Sequence, residues 1–242
     1  MRRILALAPA AALVGCVTIT PSSIGTFAGV LPCADCAGIL AELRLYTEQG
    51  RPTNYELMET YMGTREGDRS IGTAGRWTTL RGSVSDPDAI VVQIDLGRID
   101  ALRNFQRVGD DELRLLDRKL NLVVSPVPRS LYRVSEFPAV TLVDADSGRT
   151  VEVERGQRVY VVLGANRTTG YDWALDASTP AVLTGLGGPI YAQTDLAGSG
   201  GTAIWFFAAT GSGKQEMRFH YRRPFGDSAL AVRTVSFTVV VR

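Results

Sequence analysis

Short apolar runs of strand length, bounded by turn residues, recur along most of the chain. They lie at Leu43–Tyr46, Ile90–Ile94, Leu113–Leu116, Val140–Val143, Arg158–Leu163, Ile204–Ala208, Arg218–Tyr221 and Val235–Val241. Turn-forming stretches such as Glu48–Gly50 and Asp144–Gly148 separate these runs. Helical periodicity is scarce, so the pattern predicts an all-β chain made of barrels or sandwiches.

The strand pattern restarts near residue 135. Pro126, Pro128 and Pro138 cluster around this point, and a new run begins at Val140. We therefore predict two domains, residues 26–135 and residues 136–242. Each domain is near the size at which a single β core becomes self-sufficient.

The N-terminus has a different pattern. Arg2 and Arg3 precede a brief apolar run that ends in Leu13–Cys16. A basic start followed by such a run predicts a secretory signal peptide, and the run is shorter than the roughly 20 residues that a transmembrane helix needs. The tetrapeptide Leu-Val-Gly-Cys resembles the lipobox of bacterial lipoproteins.

The lipobox resemblance implies a signal peptide over residues 1–15, acylation of Cys16 and a linker over residues 16–25. Several acyl chains anchor a protein firmly, because each buried CH₂ contributes about 0.8 kcal/mol. Val17 stands where lipoproteins retained in the inner membrane have Asp, so we expect an outer-membrane protein facing the periplasm or the surface. An ordinary signal peptide with a chance cysteine is the alternative.

Composition narrows the function classes. The chain has 26 Lys and Arg against 25 Asp and Glu, a net charge of +1, so no basic surface for nucleic acid is expected. There is one histidine, His220, which leaves little basis for histidine-based metal or acid–base sites. We therefore expect a protein that is not an enzyme and has no cofactor.

Two cysteines lie close together in Leu31–Cys36, which reads Leu-Pro-Cys-Ala-Asp-Cys. With Glu59–Gly63, Gly75–Trp77 and Leu115–Arg118 downstream, this segment resembles the N-terminal domain of the NlpE family, lipoproteins associated with envelope stress and copper. The resemblance covers most of residues 26–135. It implies a small antiparallel barrel similar to a bacterial lipocalin.

Cys33 and Cys36 have three interpretations. We predict a disulfide, since an oxidising compartment favours one. The first alternative is a Cu(I) site, because thiolates and thioethers favour Cu(I); Met58 and Met62 would supply further sulfur, although methionines near strands commonly fill cores. The second alternative is a redox or surface-sensing switch. A thioredoxin-type oxidoreductase lacks the βαβ context that it would need.

Three loop-like segments interrupt the second domain, at Asn166–Trp173, Gly198–Thr202 and Tyr221–Gly226. In this order they resemble the three binding loops of chagasin-type inhibitors of papain-family cysteine proteases, which read Asn-Pro-Thr-Thr-Gly-aromatic, Gly-x-Gly-Gly-Thr and Arg-Pro-Trp. The resemblance implies an immunoglobulin-like β sandwich with the three loops at one end. These loops would form a wedge that enters the protease cleft and blocks its catalytic cysteine.

The resemblance assigns protease contact to polar, small and aromatic loop residues: Asn166, Thr168, Thr169, Gly170, Tyr171, Gly198, Gly200, Gly201, Arg223, Pro224 and Phe225. Their chemistry suits a stiff loop, because Gly170 can take a positive φ and Pro224 holds Arg223 extended. Two residues depart from the family pattern. Arg167 replaces Pro and Phe225 replaces Trp, so we expect altered or weaker affinity.

Other conspicuous residues are predicted to be structural. Trp173 and Trp205 are expected in the core, while Tyr171 suits either the core or the contact surface. Residues 209–215 superficially resemble a phosphate loop, but Ala208 and Gln215 replace the residues that such a loop requires, and we predict a hairpin turn. The three loops themselves could be hairpin tips that have lost binding.

The leading hypothesis is a lipid-anchored, reversible inhibitor of papain-like cysteine proteases. The first alternative is an envelope-stress or copper-responsive lipoprotein, in which the barrel with Cys33 and Cys36 is the active part and the second domain docks a partner. The second alternative is a purely structural envelope component.

The lipobox interpretation gives the first testable prediction. Wild-type protein should fractionate with membranes, and Cys16→Ser should lose this association because no acyl chain can be attached. Membrane fractionation of cells that express each form measures the difference. If both forms fractionate alike, the anchor is wrong.

Overall fold

A computed structural model describes residues 21–97, 102–124, 129–178, 181–193, 200–224 and 231–242. The first domain contains β1 (Ser22–Leu31), β2 (Gly38–Glu48), β3 (Arg51–Met62), β4 (Arg69–Arg81), β5 (Ile90–Ile94), β6 (Arg103–Val108), β7 (Glu112–Leu116) and β8 (Ser130–Val134). The second contains β9 (Val140–Val143), β10 (Thr150–Val153), β11 (Arg158–Ala165), β12 (Asp172–Ala177), β13 (Leu183–Gln193), β14 (Gly201–Ala209), β15 (Gly213–Arg222) and β16 (Arg233–Val241). Short 3-10 helices lie at Asp144–Asp146 and Arg167–Thr169.

Strands β1 to β8 form a closed antiparallel barrel, in which β8 returns to pair with β1. Alternation explains its core: on β2, Ala41, Leu43 and Leu45 point inward, and the residues between them point outward. The interior is filled by Phe27, Tyr55, Trp77, Phe105 and aliphatic side chains. The barrel that the sequence predicted is confirmed.

Two four-stranded sheets form the second domain, in the orders β10-β16-β15-β12 and β13-β14-β11-β9. Their facing sides enclose one apolar core. Trp173 and Trp205 lie in that core, 6% and 5% exposed, as predicted. The all-β class and the sandwich are thus confirmed.

Two details of the strands refine the sequence analysis. Strand β1 begins at Ser22, inside the segment predicted as a linker, because residues from Ser22 pair with β2. The resemblance to a phosphate loop is explained by the turn between β14 and β15, as predicted. No helix among the described residues has the length and apolar character to cross a membrane.

A partly buried ion pair lies in the barrel interior and was not predicted. Arg103 on β6 donates to Glu59 on β3 from both terminal guanidinium nitrogens, and the Nη2–Oε2 distance is 2.9 Å. Glu59 is only 4% exposed. Removing Arg103 would leave the buried Glu59 carboxylate uncompensated, which in a fully buried pair costs about 3–5 kcal/mol.

Barrel and sandwich share a second apolar core along their contact. It joins Ala28, Val30, Met62 and Val134 of the barrel to Leu186, Ile190, Phe206 and Ala208 of the sandwich. We call this contact the seam. At one end of it the Arg158 guanidinium pairs with Glu42, and the Ser135 amide donates to the Gly156 carbonyl at 2.8 Å. Most of these residues are buried hydrophobics, so the two domains pack as one unit.

Two glycines set the distance between the domains. A Cβ on Gly187 would lie 2.4 Å from the Val30 Cβ, and one on Gly38 would lie 2.7 Å from the Ile190 Cδ1. Gly187 also has a φ of +147°, which side-chain-bearing residues rarely adopt. The close approach of β1 and β13 therefore depends on the missing side chain at Gly187.

The seam gives a stability prediction. Gly187→Ala should lower the free energy of unfolding by about 1–3 kcal/mol, the usual cost of overpacking. Gly185→Ala is the matched control, because a Cβ there meets nothing within 4 Å, and it should stay within about 0.5 kcal/mol. Denaturant unfolding of the full chain measures both. Equal midpoints for the two variants would contradict the role given to Gly187.

Candidate functional site

Register brings the three loops predicted from sequence to one end of the sandwich. Ala165, the last residue of β11, pairs with Gly201, which in turn pairs with Gln193. In the other sheet, Asp172 at the start of β12 pairs with Arg222 at the end of β15. The chain therefore leaves β11, β13 and β15 at the same end. We call the described part of this region, residues 166–171, Gly200, Arg223 and Pro224, the loop end.

The first loop is braced by its own hydrogen bonds. The Asn166 Oδ1 accepts from the Thr168 amide at 3.2 Å and from the Thr168 hydroxyl at 2.6 Å. The Thr169 hydroxyl donates to the Asn166 carbonyl at 2.6 Å. Gly170 closes the turn with a φ of 76°, the left-handed conformation for which glycine was expected. Thr168 and Thr169 stay exposed at the tip of a preformed turn.

Arg167 has a contact that its family counterpart, proline, would lack. Its guanidinium lies 4.3 Å from the centre of the Tyr191 ring, and its Nε is 3.9 Å from the Asp172 Oδ2. Cation–π contacts at exposed sites contribute about 0.5–1 kcal/mol. This loop is thus held against β13 by a side chain, where proline would have stiffened the backbone.

An aromatic stack supports the base of the loop end. The Tyr221 hydroxyl accepts from the Asn166 amide at 2.8 Å and donates to the Asn166 carbonyl at 3.0 Å. The Tyr221 ring lies 5.6 Å from Tyr171 and 5.0 Å from Trp173. The Arg233 guanidinium covers Trp173 at 4.7 Å. Sequence reasoning missed both supporting roles: Tyr221 was placed in the third predicted loop but lies in β15, and Arg233 belongs to no motif.

Tyr171 combines the two environments that the sequence left open, the core and the exposed surface. It is half-buried, its ring is stacked on Tyr221, and the Arg223 guanidinium lies 5.0 Å from the ring centre. Arg223 and Pro224 are exposed. Arg223 is therefore presented on an aromatic support.

A half-buried tyrosine connects the two sheets just below the first loop. The Tyr191 hydroxyl on β13 donates to the Asp172 carboxylate on β12. Burial, and next the hydrogen bond to Asp172, raise the pKa of Tyr191 well above its ordinary value of 10. The phenol therefore stays protonated and keeps donating throughout the physiological range. No sequence signal marked Tyr191.

The structure describes only some of the predicted contact residues of the second and third loops. Gly200 has a φ of +80°, and a Cβ there would lie 3.3 Å from the Ala165 carbonyl oxygen. Gly201 was predicted in the loop but is the first residue of β14, because it pairs with Ala165. Gly198 and Phe225 lie outside the described residues, as does Cys16.

Cys33 and Cys36 are joined by a disulfide between β1 and β2, with the Cα atoms 5.4 Å apart. Sulfurs bonded to each other offer no thiolate to a soft metal ion. Met62 packs in the seam, whereas Met58 is 47% exposed on the barrel surface. His220 lies on the outer face of its sheet, where its Nδ1 is 3.2 Å from the Thr234 hydroxyl.

A closed barrel packed against a two-sheet sandwich with a preformed loop end defines a two-domain β protein. The halves match two family models. Residues 27–126 match the NlpE N-terminal domain, and residues 152–239 match the chagasin family peptidase inhibitor I42. The chain thus joins a domain similar to NlpE to a domain similar to chagasin-type inhibitors.

A known lipoprotein and two solved structures resemble parts of the chain. Lipoprotein NlpE of Escherichia coli (strain K12) is 27% identical over 168 residues, which cover 66% of this chain and 65% of NlpE. The crystal structure of the cysteine protease inhibitor EhICP2 from Entamoeba histolytica is 19% identical, with a TM-score of 0.40, and 43% of this chain covers 96% of it. The solution structure of Amebosin is 26% identical with a TM-score of 0.36, and 44% of this chain covers all of it.

The cysteine geometry leads to a direct chemical prediction. Secreted protein that is alkylated without reductant should carry no label at Cys33 or Cys36, since both sulfurs are in the disulfide. Reduction before alkylation should then add two labels. Mass spectrometry of the peptide that contains both cysteines reads the result. Two labels without reductant would rule out the disulfide and favour a copper site.

Proposed function

We propose that the second domain reversibly inhibits papain-family cysteine proteases by inserting the loop end into the active-site cleft. The observation that carries this proposal is the exposed Thr168–Thr169 tip on a turn fixed by Asn166 and Gly170, at the same end as Gly200 and Arg223. The match of residues 152–239 to the chagasin family supports it. A stiff loop loses little conformational entropy on docking, which favours affinity.

The turn also accounts for inhibition without cleavage. A protease attacks a peptide bond presented in an extended backbone, whereas Arg167–Thr169 is a 3-10 turn. Extending it would break the hydrogen bonds that Thr168 and Thr169 make to Asn166. Thr168 and Thr169 would then cover the catalytic cysteine and histidine of the protease while the inhibitor itself stays intact. The protein acts by blockage and is not an enzyme.

Arg223 supplies an anchor beside the tip. Its guanidinium is exposed and rests on the Tyr171 ring at 5.0 Å, so its position is partly fixed before binding. Arginine and aromatic side chains are enriched among the residues that dominate binding energy at interfaces. Phe225, two residues on, would be the second anchor of this loop.

The proposed cellular location rests on the first domain and on the N-terminal segment. The similarity of residues 27–126 to NlpE and the lipobox at Cys16 support an envelope lipoprotein. We propose that acyl chains on Cys16 hold the protein at the outer membrane. The inhibitor domain would then protect the envelope from papain-like proteases.

A substitution at the tip tests the mechanism. Thr168→Arg should weaken inhibition of papain by about 30-fold or more, because losing a central contact typically costs about 2 kcal/mol. The fold should survive, since Thr168 is exposed. Ser212→Arg is the matched control in the exposed turn at the opposite end of the sandwich, and it should inhibit like wild type.

Inhibition constants of the wild-type full chain, Thr168→Arg and Ser212→Arg decide the matter. A serine protease serves as the specificity control and should not be inhibited. Failure of the wild-type chain to inhibit any papain-like enzyme at micromolar concentration would refute the proposal. Equal loss in both variants would refute the placement of the tip in the cleft.

A further inference from the structure

The barrel lies alongside the sandwich in a fixed direction. Glu42 pairs with Arg158 near one end of the seam, where β11 begins. Farther along, Gly38 lies against Ile190, and a Cβ on Gly63 would be 3.3 Å from the Tyr191 carbonyl oxygen. These contacts follow one another in the same order along the barrel strands as along the sandwich strands. The barrel end that carries the disulfide and the β3–β4 turn is therefore the end beside the loop end.

This barrel end also reaches the level of the loop end. Tyr191 lies two residues before the end of β13, which is about 7 Å of strand, and its ring carries the guanidinium of Arg167. Strand β3 arrives at this level at Met62, and the turn of residues 63–68 continues beyond it. Tyr191 thus lies between Arg167 of the first loop and Gly63 of the barrel turn.

The barrel turn is preformed, like the first loop. The Gly63 amide donates to the Asp68 Oδ1 at 2.9 Å, and the Gly67 amide donates to the Thr64 carbonyl at 3.1 Å. The turn cannot easily swing aside either, because Met62 next to it is buried in the seam. The turn beside the loop end is therefore held in a fixed position.

An open groove of about 700 Å³ lies at this end of the barrel, and its lining includes Asp35, Tyr61, Arg65, Glu66 and Arg69. We call it the rim groove. The ion pairs found among the described residues do not include Arg65, Glu66 or Arg69, all of which are exposed. At the other end of the barrel Arg107 and Arg133 are engaged by Asp110 and Asp111, whereas Arg51 is exposed and in none of the ion pairs found among the described residues. The rim groove offers charges that the protein itself does not neutralise.

We propose that the rim groove is a second contact surface for the same protease. When the loop end enters the cleft, the protease surface that flanks the cleft is brought against the barrel, and its charged side chains pair with Arg65, Glu66 and Arg69. This inference rests on the proposed function and deepens it. The barrel then selects among papain-like enzymes, since charges at the edge of an interface act mainly on specificity and association rate.

Site-specific photo-crosslinking tests the contact with the full chain. A photoreactive amino acid replaces Glu66 in one protein and Arg51 in another. Arg51 is the matched position, because it is an exposed charged residue at the opposite end of the barrel. Each protein is mixed with papain and irradiated, and inhibition by each is measured in parallel. The label at position 66 should give a covalent adduct with the mass of papain added, and the label at position 51 should give none.

At concentrations near the wild-type inhibition constant, introducing Thr168→Arg into the Glu66-labelled protein should reduce the adduct strongly, because the loop end then docks about 30-fold more weakly. If the labelled proteins inhibit papain but position 66 yields no adduct, or position 51 yields as much, the rim groove is not a contact surface and the proposed function stands. If no form of the chain inhibits papain, both proposals fall together.

Discussion

The seam between barrel and sandwich is the contact on which the rest of this structure depends. Buried apolar side chains from both domains form one core there, and Gly187 lets β13 approach Val30 closely. Apolar burial of this kind is favourable and resists separation of the domains. A chain of two separately recognisable halves is thereby made into one body, with the disulfide end of the barrel beside the loop end.

Hydrogen bonds made by tyrosine hydroxyl groups stiffen the region between the seam and the loop end. The hydroxyl of Tyr191, on a strand that forms the seam, donates to the Asp172 carboxylate. The Tyr221 hydroxyl accepts from the Asn166 amide and donates to the Asn166 carbonyl. Asn166 in turn fixes Thr168 through its own side chain. Each link is a hydrogen bond made before any partner arrives, so the loop end has little conformational freedom to lose on binding.

The sequence predicted the fold class for a physical reason, whereas the candidate site came from the resemblance of the three loops to chagasin-type inhibitors. Alternation of apolar and polar residues, as in Val235–Val241, reports which side of a strand is buried, and that pattern is local. Gly170 was assigned by the resemblance to chagasin-type inhibitors, and the positive φ that only glycine adopts easily is found there, at 76°. Gly201 was wrongly predicted to lie in a loop, because a glycine-rich stretch by itself indicates a loop. Its place in β14 depends on pairing with Ala165, which is distant in the sequence.

What the sequence by itself determined is therefore the all-β class, part of the set of strands and the chemistry of the loop residues, because these follow from short-range patterns. Only the tertiary structure decided that Glu59 and Arg103 pair inside the barrel, that Tyr221 and Tyr191 support the first loop, and that Gly63 lies beside Tyr191. These contacts join residues far apart in the chain. Their partners are set by how the sheets close and pack, which no local pattern records.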